Sequence, residues 1–300
     1  MRAVVVGGSG QIGGWLLRHL ADRGHEAVGT YCSVPFPGLD HLDAANHAAS
    51  AAWLRAQRPD VVFYPAGFTW VDGCEKDPAR ARAANRDDPL NLARASADVG
   101  ARFVSFSTDY VFDGAGGPYS EDDPPNPLSV YGRAKLEAEI ALAEALGDRL
   151  LTIRTCWVFG PERQGKNFAY QLVKTLRAGN PLLCPSDQWS SPSYGPDVVL
   201  AAVRLAEDRA SGLEHVAGPE TISRPDFARA LAEAFGLDPA GIVAKPTAEL
   251  GQGAPRPLRA GLRIDRLDRR WPGLMRPLSA TLPDFLARLD AREGWADPRS

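Results

Sequence analysis

The amino-acid sequence predicts an α/β fold: a doubly wound parallel sheet with helices on both faces, interleaved with a smaller C-terminal lobe. Three observations carry that prediction. Short β-rich runs alternate with longer amphipathic ones, the rhythm of βαβ units feeding a parallel sheet. Those runs are apolar without strict alternation, as in strands buried on both sides. Past about residue 160 the rhythm changes, and proline and glycine become frequent between isolated helices.

In chain order, the first strand is RAVVV (2–6), which runs into VVVGGSGQIGG and opens the amphipathic stretch QIGGWLLRHLADRG. Gly7, Gly10 and Gly13 satisfy G-x-x-G-x-x-G, and Gly8, Gly10 and Gly13 satisfy G-x-G-x-x-G. Glycine there permits a tight turn, close approach of backbone N–H groups to a pyrophosphate, and close helix–strand packing. Alone the motif is weak. Between an N-terminal strand and an amphipathic helix it marks a dinucleotide site and makes the sheet Rossmann-type, the competing reading being a glycine-rich turn with no ligand. HEAVGT (25–30) is the second strand. Its end, Thr30 to Ser33, carries neither an arginine nor the carboxylate that NAD-selective proteins place against the ribose 2′-hydroxyl. Nothing there repels a 2′-phosphate and Ser33 can hydrogen-bond one, so the balance tips to NADPH, with NADH second. AASAAWLRAQ supplies a helix, and DVVFY (60–64), ARFVSF (101–106) and RLLTIR (149–154) further strands. PDVVLAAVRLAED and RPDFARALAEAFG then read as helices between irregular segments. We divide the chain into a dinucleotide-binding domain over 1–160, joined by about 186–212, and a smaller substrate-binding lobe over 161–300.

Composition sets the outer bounds. Hydrophobic content of 44% and charged content of 24% are those of an ordinary soluble globular protein. A net charge of −3 gives no reason to expect nucleic acid or an anionic membrane as partner, and no apolar run reaches the length of a membrane span. Cys32, Cys74, Cys156 and Cys184 lack paired spacing, which argues against a disulfide framework or a zinc site and fits a reducing cytoplasm. The histidines form no metal-ligand cluster, so no catalytic metal is expected.

Chemistry concentrates in two stretches. FSTDYVFDG (106–114) follows a strand at the carboxyl edge, where doubly wound sheets bind ligands, and Thr108 there can donate a hydrogen bond to a substrate carbonyl. SVYGRAKLEAE (129–139) puts Tyr131 and Lys135 one helical turn apart on one face. A nearby ammonium favours the phenolate, so Lys135 is expected to lower the Tyr131 pKa from about 10 and make it a better proton donor. Each feature has an ordinary reading: chance helical spacing, a strand-end turn at Thr108, an Asx-turn at Asp109. Together the three side chains make an acid assembly.

These stretches resemble the extended short-chain dehydrogenase/reductase family, and within it the dTDP-4-dehydrorhamnose reductase group. GGSGQIGG, RPDVVFYPAGFTWVDGCEKDP, STDYVFDG, GPYSEDDPPNPLSVYGRAKLEAE, IRTCWVFGPERQGKNF, DQWSSPSYGPDVVLA and APRPLRAGL occur in the family's order across nearly the whole chain. The resemblance implies reduction of a keto group on a nucleotide-linked deoxy sugar by NADPH or NADH. Thr108, Tyr131 and Lys135 then look like the catalytic triad, Tyr131 giving the proton and Lys135 holding the nicotinamide ribose. Gly7, Gly10, Gln11, Ile12 and Gly13 match the pyrophosphate loop, Asp43 the acid at the adenine end, and Ala66 and Gly67 the small residues beneath the cofactor. Val71, Asp109, Tyr110 and Trp157 fall where the family contacts the sugar, although a tryptophan at a strand end is often simply core. Arg256, in the family's APRP segment, offers a forked guanidinium to the substrate pyrophosphate, against the ordinary reading of a solvated arginine. A homodimer is what the family suggests.

The departures bear on substrate more than chemistry. YPAGFTWVD replaces the family's usual Asn-Ala-Ala-Ala and sets Trp70 beside the sugar pocket, and AANRDDP is more charged than expected around Asn85. Sugar-nucleotide 4,6-dehydratases of this fold carry Thr-Asp-Glu, whereas the third position here is Tyr110, which argues against dehydration. A 4-epimerase and a non-catalytic, cofactor-binding subunit resembling the regulatory subunit of methionine adenosyltransferase stay open as alternatives.

Overall fold

The computed structural model describes residues 1–291 and 293–299. Its strands are β1 (Arg2–Val5), β2 (Glu26–Tyr31), β3 (Asp40–His41), β4 (Val61–Tyr64), β5 (Arg102–Thr108), β6 (Leu150–Thr155), β7 (Val158–Phe159), β8 (Leu182–Pro185), β9 (Trp189–Ser190), β10 (Ser193–Tyr194), β11 (Gly212–His215), β12 (Ile222–Ser223) and β13 (Ile242–Lys245). The helices are α1 (Gln11–Asp22), α2 (His47–Gln57), α3 (Val71–Lys76), α4 (Pro78–Arg82), α5 (Asp88–Asp98), α6 (Val130–Leu146), α7 (Phe168–Arg177), α8 (Gly195–Glu207), α9 (Arg224–Ala234), α10 (Asp265–Arg270) and α11 (Leu278–Asp290).

Seven strands pair in the order β11-β6-β5-β4-β1-β2-β3, every neighbour parallel. Successive side chains of a strand point to opposite faces. Ala3, Val5, Phe63 and Ile153 therefore meet Trp15 and Leu16 of α1 and Val198 and Val203 of α8. Val4, Val62 and Phe103 meet Leu54, Leu92 and Leu142 of α2, α5 and α6 on the other side. Both faces are covered, which is why the strand sequences show no polar alternation. The doubly wound Rossmann-type fold expected from the sequence is what forms.

The order reverses between β1 and β4, so the chain leaves their carboxyl ends in opposite directions and opens a crevice there. The C-terminal elements gather around a second core of Phe159, Leu172, Phe227, Leu231 and Phe285. Between visits to it the chain returns to the sheet: α8 covers α1, and β11 adds an edge strand with Leu213 opposite Thr152. After α11 the tail crosses back as well. Trp295 stacks on Trp15 with ring centroids 4.2 Å apart, and Ala296 N donates to Glu162 O at 2.9 Å. Among the described residues no helix is long and apolar enough to cross a membrane.

Candidate active site

The crevice at the switch point is a cleft of about 690 Å³, walled by the glycine loop, the ends of β4 and β5, the first turn of α6 and the segment after β6. Gly7 adopts φ +96°, a region side chains rarely enter, and a Cβ on it would fall 3.0 Å from the Cβ of Ala66. A Cβ on Gly13 would lie 2.1 Å from the Gly7 carbonyl oxygen, so only glycine lets α1 start this close to β1. No side chain caps α1. Its first-turn N–H groups, which lack intrahelical partners, are left for an anion in a cleft walled by Gly10, Gln11, Ile12 and Gly13. These are the features a bound dinucleotide requires, and this chain has them.

Across the cleft, Thr108, Tyr131 and Lys135 come together in the wall. Ser129 Oγ accepts from Gly132 N at 3.1 Å and starts α6, fixing the turn that carries Tyr131. Thr108 ends β5 and is buried, as is Tyr131. Lys135 Nζ donates to the Phe106 carbonyl at 2.8 Å rather than to the phenol. The expected direction of the Tyr131 shift is reversed. Burial drives the phenol well above its ordinary value, with hydrogen bonding to Thr108 only partly opposing it. Burial also pulls Lys135 down to about 8, against the raising influence of Glu139. Helical spacing announces the pair but not the desolvation that dominates both. The result is a phenol held protonated, as a proton donor must be.

Gly7, Gly10, Gln11, Ile12, Gly13, Ala66, Gly67, Val71, Asp109, Tyr110 and Trp157 all reach the cleft wall. Asp109, however, is spent internally: Oδ1 accepts from Thr108 Oγ1 at 3.2 Å and Oδ2 from Ser190 Oγ at 2.8 Å. Burial raises its pKa, which disfavours a free carboxylate for a sugar. Tyr110 lies edge-on to Tyr131, ring centroids 5.8 Å apart. Two expected contacts stand outside the wall. Asp43 is exposed and accepts from its neighbour Ala45 N at 3.0 Å. Arg256 is held by Asp72 at 3.0 Å, at the start of α3 behind Val71.

One residue that no local motif signals, Arg224, packs on Trp157, which itself sits at φ 41°, a strained left-handed conformation for a bulky residue. Arg224 lies 3.5 Å from the centroid of its ring and 4.6 Å from that of Phe168. The Arg224 side chain has no hydrogen bond or carboxylate partner among the described residues, and burial pulls it down to about 10. Like Arg256, Arg224 lies behind the cleft wall near Tyr110; it is half-buried and has no counter-charge of its own. Asn85, on the π-helical turn Ala83–Asp87, accepts from Phe68 N at 3.1 Å and donates to Phe68 O at 3.0 Å, pinning the loop behind Gly67. Gln164 Nε2 donates to Ser9 O at 2.8 Å, tying the segment between β7 and α7 to the glycine loop.

A parallel switch-point sheet, a glycine loop and a Thr/Tyr/Lys cluster at the end of β5 together define an extended short-chain dehydrogenase/reductase. The chain belongs to the family described as the RmlD substrate binding domain, whose model matches residues 1–291. It is 34% identical over 308 residues to the dTDP-4-dehydrorhamnose reductase of Streptomyces griseus, covering 99% of this chain and 97% of that one. It is 33% identical over 299 residues to the "probable low-salt glycan biosynthesis reductase" of Haloferax volcanii, covering 97% and 98%. Among solved structures it is similar to the dTDP-4-dehydrorhamnose reductase of Bacillus anthracis in complex with NADP: TM-score 0.87, 26% identity, 96% and 99% covered.

Proposed function

We propose that this protein reduces the keto group of a nucleotide-linked deoxy sugar, of the dTDP-4-dehydrorhamnose kind, using NADPH. One observation carries the reading: the hydroxyls of Thr108 and Tyr131 and the ammonium of Lys135 share one cleft wall, opposite a glycine loop built for a dinucleotide. Bound there, a reduced nicotinamide supplies the hydride. The Tyr131 phenol hydrogen-bonds the substrate oxygen as charge develops on it and transfers its proton there, and Thr108 donates to the same oxygen once its hydroxyl turns from Asp109. Lys135, anchored to the Phe106 carbonyl, is placed to hold the nicotinamide ribose and offset the tyrosinate that results. Arg224, stacked on Trp157, takes the substrate diphosphate. Elimination chemistry lacks its acid, since Tyr110 holds the third position and Asp109 is bound up with Thr108 and Ser190. We place the reaction in the cytoplasm, which the four free cysteines fit, and take a homodimer as the working assembly.

NADPH oxidation with a dTDP-4-keto-6-deoxy sugar tests this. Tyr131→Phe is expected to lower kcat by about 10²- to 10⁴-fold while leaving NADPH affinity nearly unchanged. Full activity in that variant would remove Tyr131 from the mechanism. A wild-type protein that binds NADPH and turns over no keto sugar would point instead to a non-catalytic cofactor-binding subunit.

A further inference from the structure

We propose that Arg163 is the residue with which this protein selects a cofactor carrying a 2′-phosphate on its adenosine ribose. The inference rests on the dinucleotide reading of the cleft. Past β2, Cys32 and Ser33 line the cleft, and this stretch supplies no cation. The cation comes from the other lobe. Arg163 lies between β7 and α7, beside Gln164, whose side chain already grips the glycine loop at Ser9. Its guanidinium carbon is 5.8 Å from the ring centroid of Phe36, three residues past Ser33, and 5.9 Å from that of Trp295. A Cβ built on Gly14 would come within 3.8 Å of its Nε, which sets the group over the second turn of α1. Next in the chain to Gln164, which lines the cleft, and packed on Phe36 just past the lining residues Cys32 and Ser33, Arg163 stands at the rim on the side of the β2 end, where the adenosine ribose of such a cofactor lies.

Among the described residues Arg163 makes no hydrogen bond and no ion pair. Its neighbours differ: Arg18 pairs with Glu293 at 2.9 Å, and Arg288 with Asp284 at 3.2 Å. The two rings hold Arg163 in place without neutralising it, and its N–H edge keeps the forked donors that fit two phosphate oxygens. A cation pre-positioned at that rim, with no acid in Thr30–Ser33 itself and Asp40 and Asp43 close by, supplies the positive charge that a doubly charged 2′-phosphate needs there and has no partner in a bare 2′-hydroxyl.

The test is calorimetric titration of the protein, without substrate, with NADPH, NADH, adenosine 2′,5′-bisphosphate and AMP. Wild type is expected to bind the two ligands with a 2′-phosphate about 10- to 100-fold more tightly than their 2′-hydroxyl counterparts. Arg163→Ala should erase that preference and leave NADH and AMP affinities unchanged, and Arg163→Lys should keep part of it. Equal weakening of NADH and NADPH in Arg163→Ala would assign the residue to the pyrophosphate or to folding and overturn the proposal. So would an unchanged preference. If wild type binds NADH and NADPH equally, the role of Arg163 fails while the dinucleotide reading stands. Failure to bind any of the four would sink both.

Discussion

Lys135 carries the clearest electrostatic consequence of the site. An unfolded lysine titrates near about 10.4, whereas in the fold burial holds Lys135 at about 8. Below pH 8 both states are protonated, and the fold bears the full cost of a buried ammonium. Between those two values the unfolded chain binds the extra proton, so stability rises with pH across that window. Lys135→Met should therefore be more stable than wild type at pH 7, by up to about 3 kcal/mol, and the gap should narrow by pH 10. Urea unfolding at the two pH values measures it, and a gap independent of pH would show that Lys135 is not desolvated. The identities of Tyr131 and Lys135 were legible in SVYGRAKLEAE because spacing on a helix is local information. Their electrostatics were not, because burial comes from Cys74, Ala81 and Phe68, whose approach to Tyr131 no spacing reveals. Arg224 was hidden for the same reason: 67 residues separate it from Trp157 in the chain, and only the fold stacks them.

At the level of elements, the glycine loop was readable because strand, loop and helix are consecutive. Gly13→Ala should abolish dinucleotide binding and lower the melting temperature, since its methyl group meets the Gly7 carbonyl and α1 must move off β1. A melting scan with and without NADPH checks both, and retained ligand stabilisation would contradict it. The seating of α6 was not readable. Glu139 accepts from Arg154 of β6 at 2.9 and 2.6 Å and from Ser107 of β5, so one largely buried carboxylate bolts α6 to two strands. Glu139→Gln leaves a buried guanidinium without its counter-charge and is expected to cost about 3–5 kcal/mol in urea unfolding. Replacing both partners with apolar residues should recover much of that. Strands β3 and β11 escaped the sequence because two residues, and four with a glutamate and a histidine among them, make no apolar run.

For the whole molecule, the sequence announced the layers but not how its ends meet. Asp43 and Arg256 matched family motifs and yet lie outside the cleft wall. Motif position fixes where the backbone passes, while side-chain partners such as Ala45 and Asp72 fix what remains free. The segment that follows α11 touches both cores: Trp295 rests on Trp15 of α1, and Ala296 holds Glu162 beside the loop of Gln164. Ending the chain after Asp290 should loosen that loop and weaken NADPH binding by about tenfold, as titration would show. An unchanged affinity would mean the loop holds itself. The same stack has an optical meaning. Two indoles 4.2 Å apart, skewed by 24°, are close enough to couple electronically, so Trp295→Phe is expected to change the near- and far-ultraviolet circular dichroism by more than the loss of one isolated ring. A cofactor titration followed by that signal would then report whether Trp295 stays seated on Trp15 as the cleft fills.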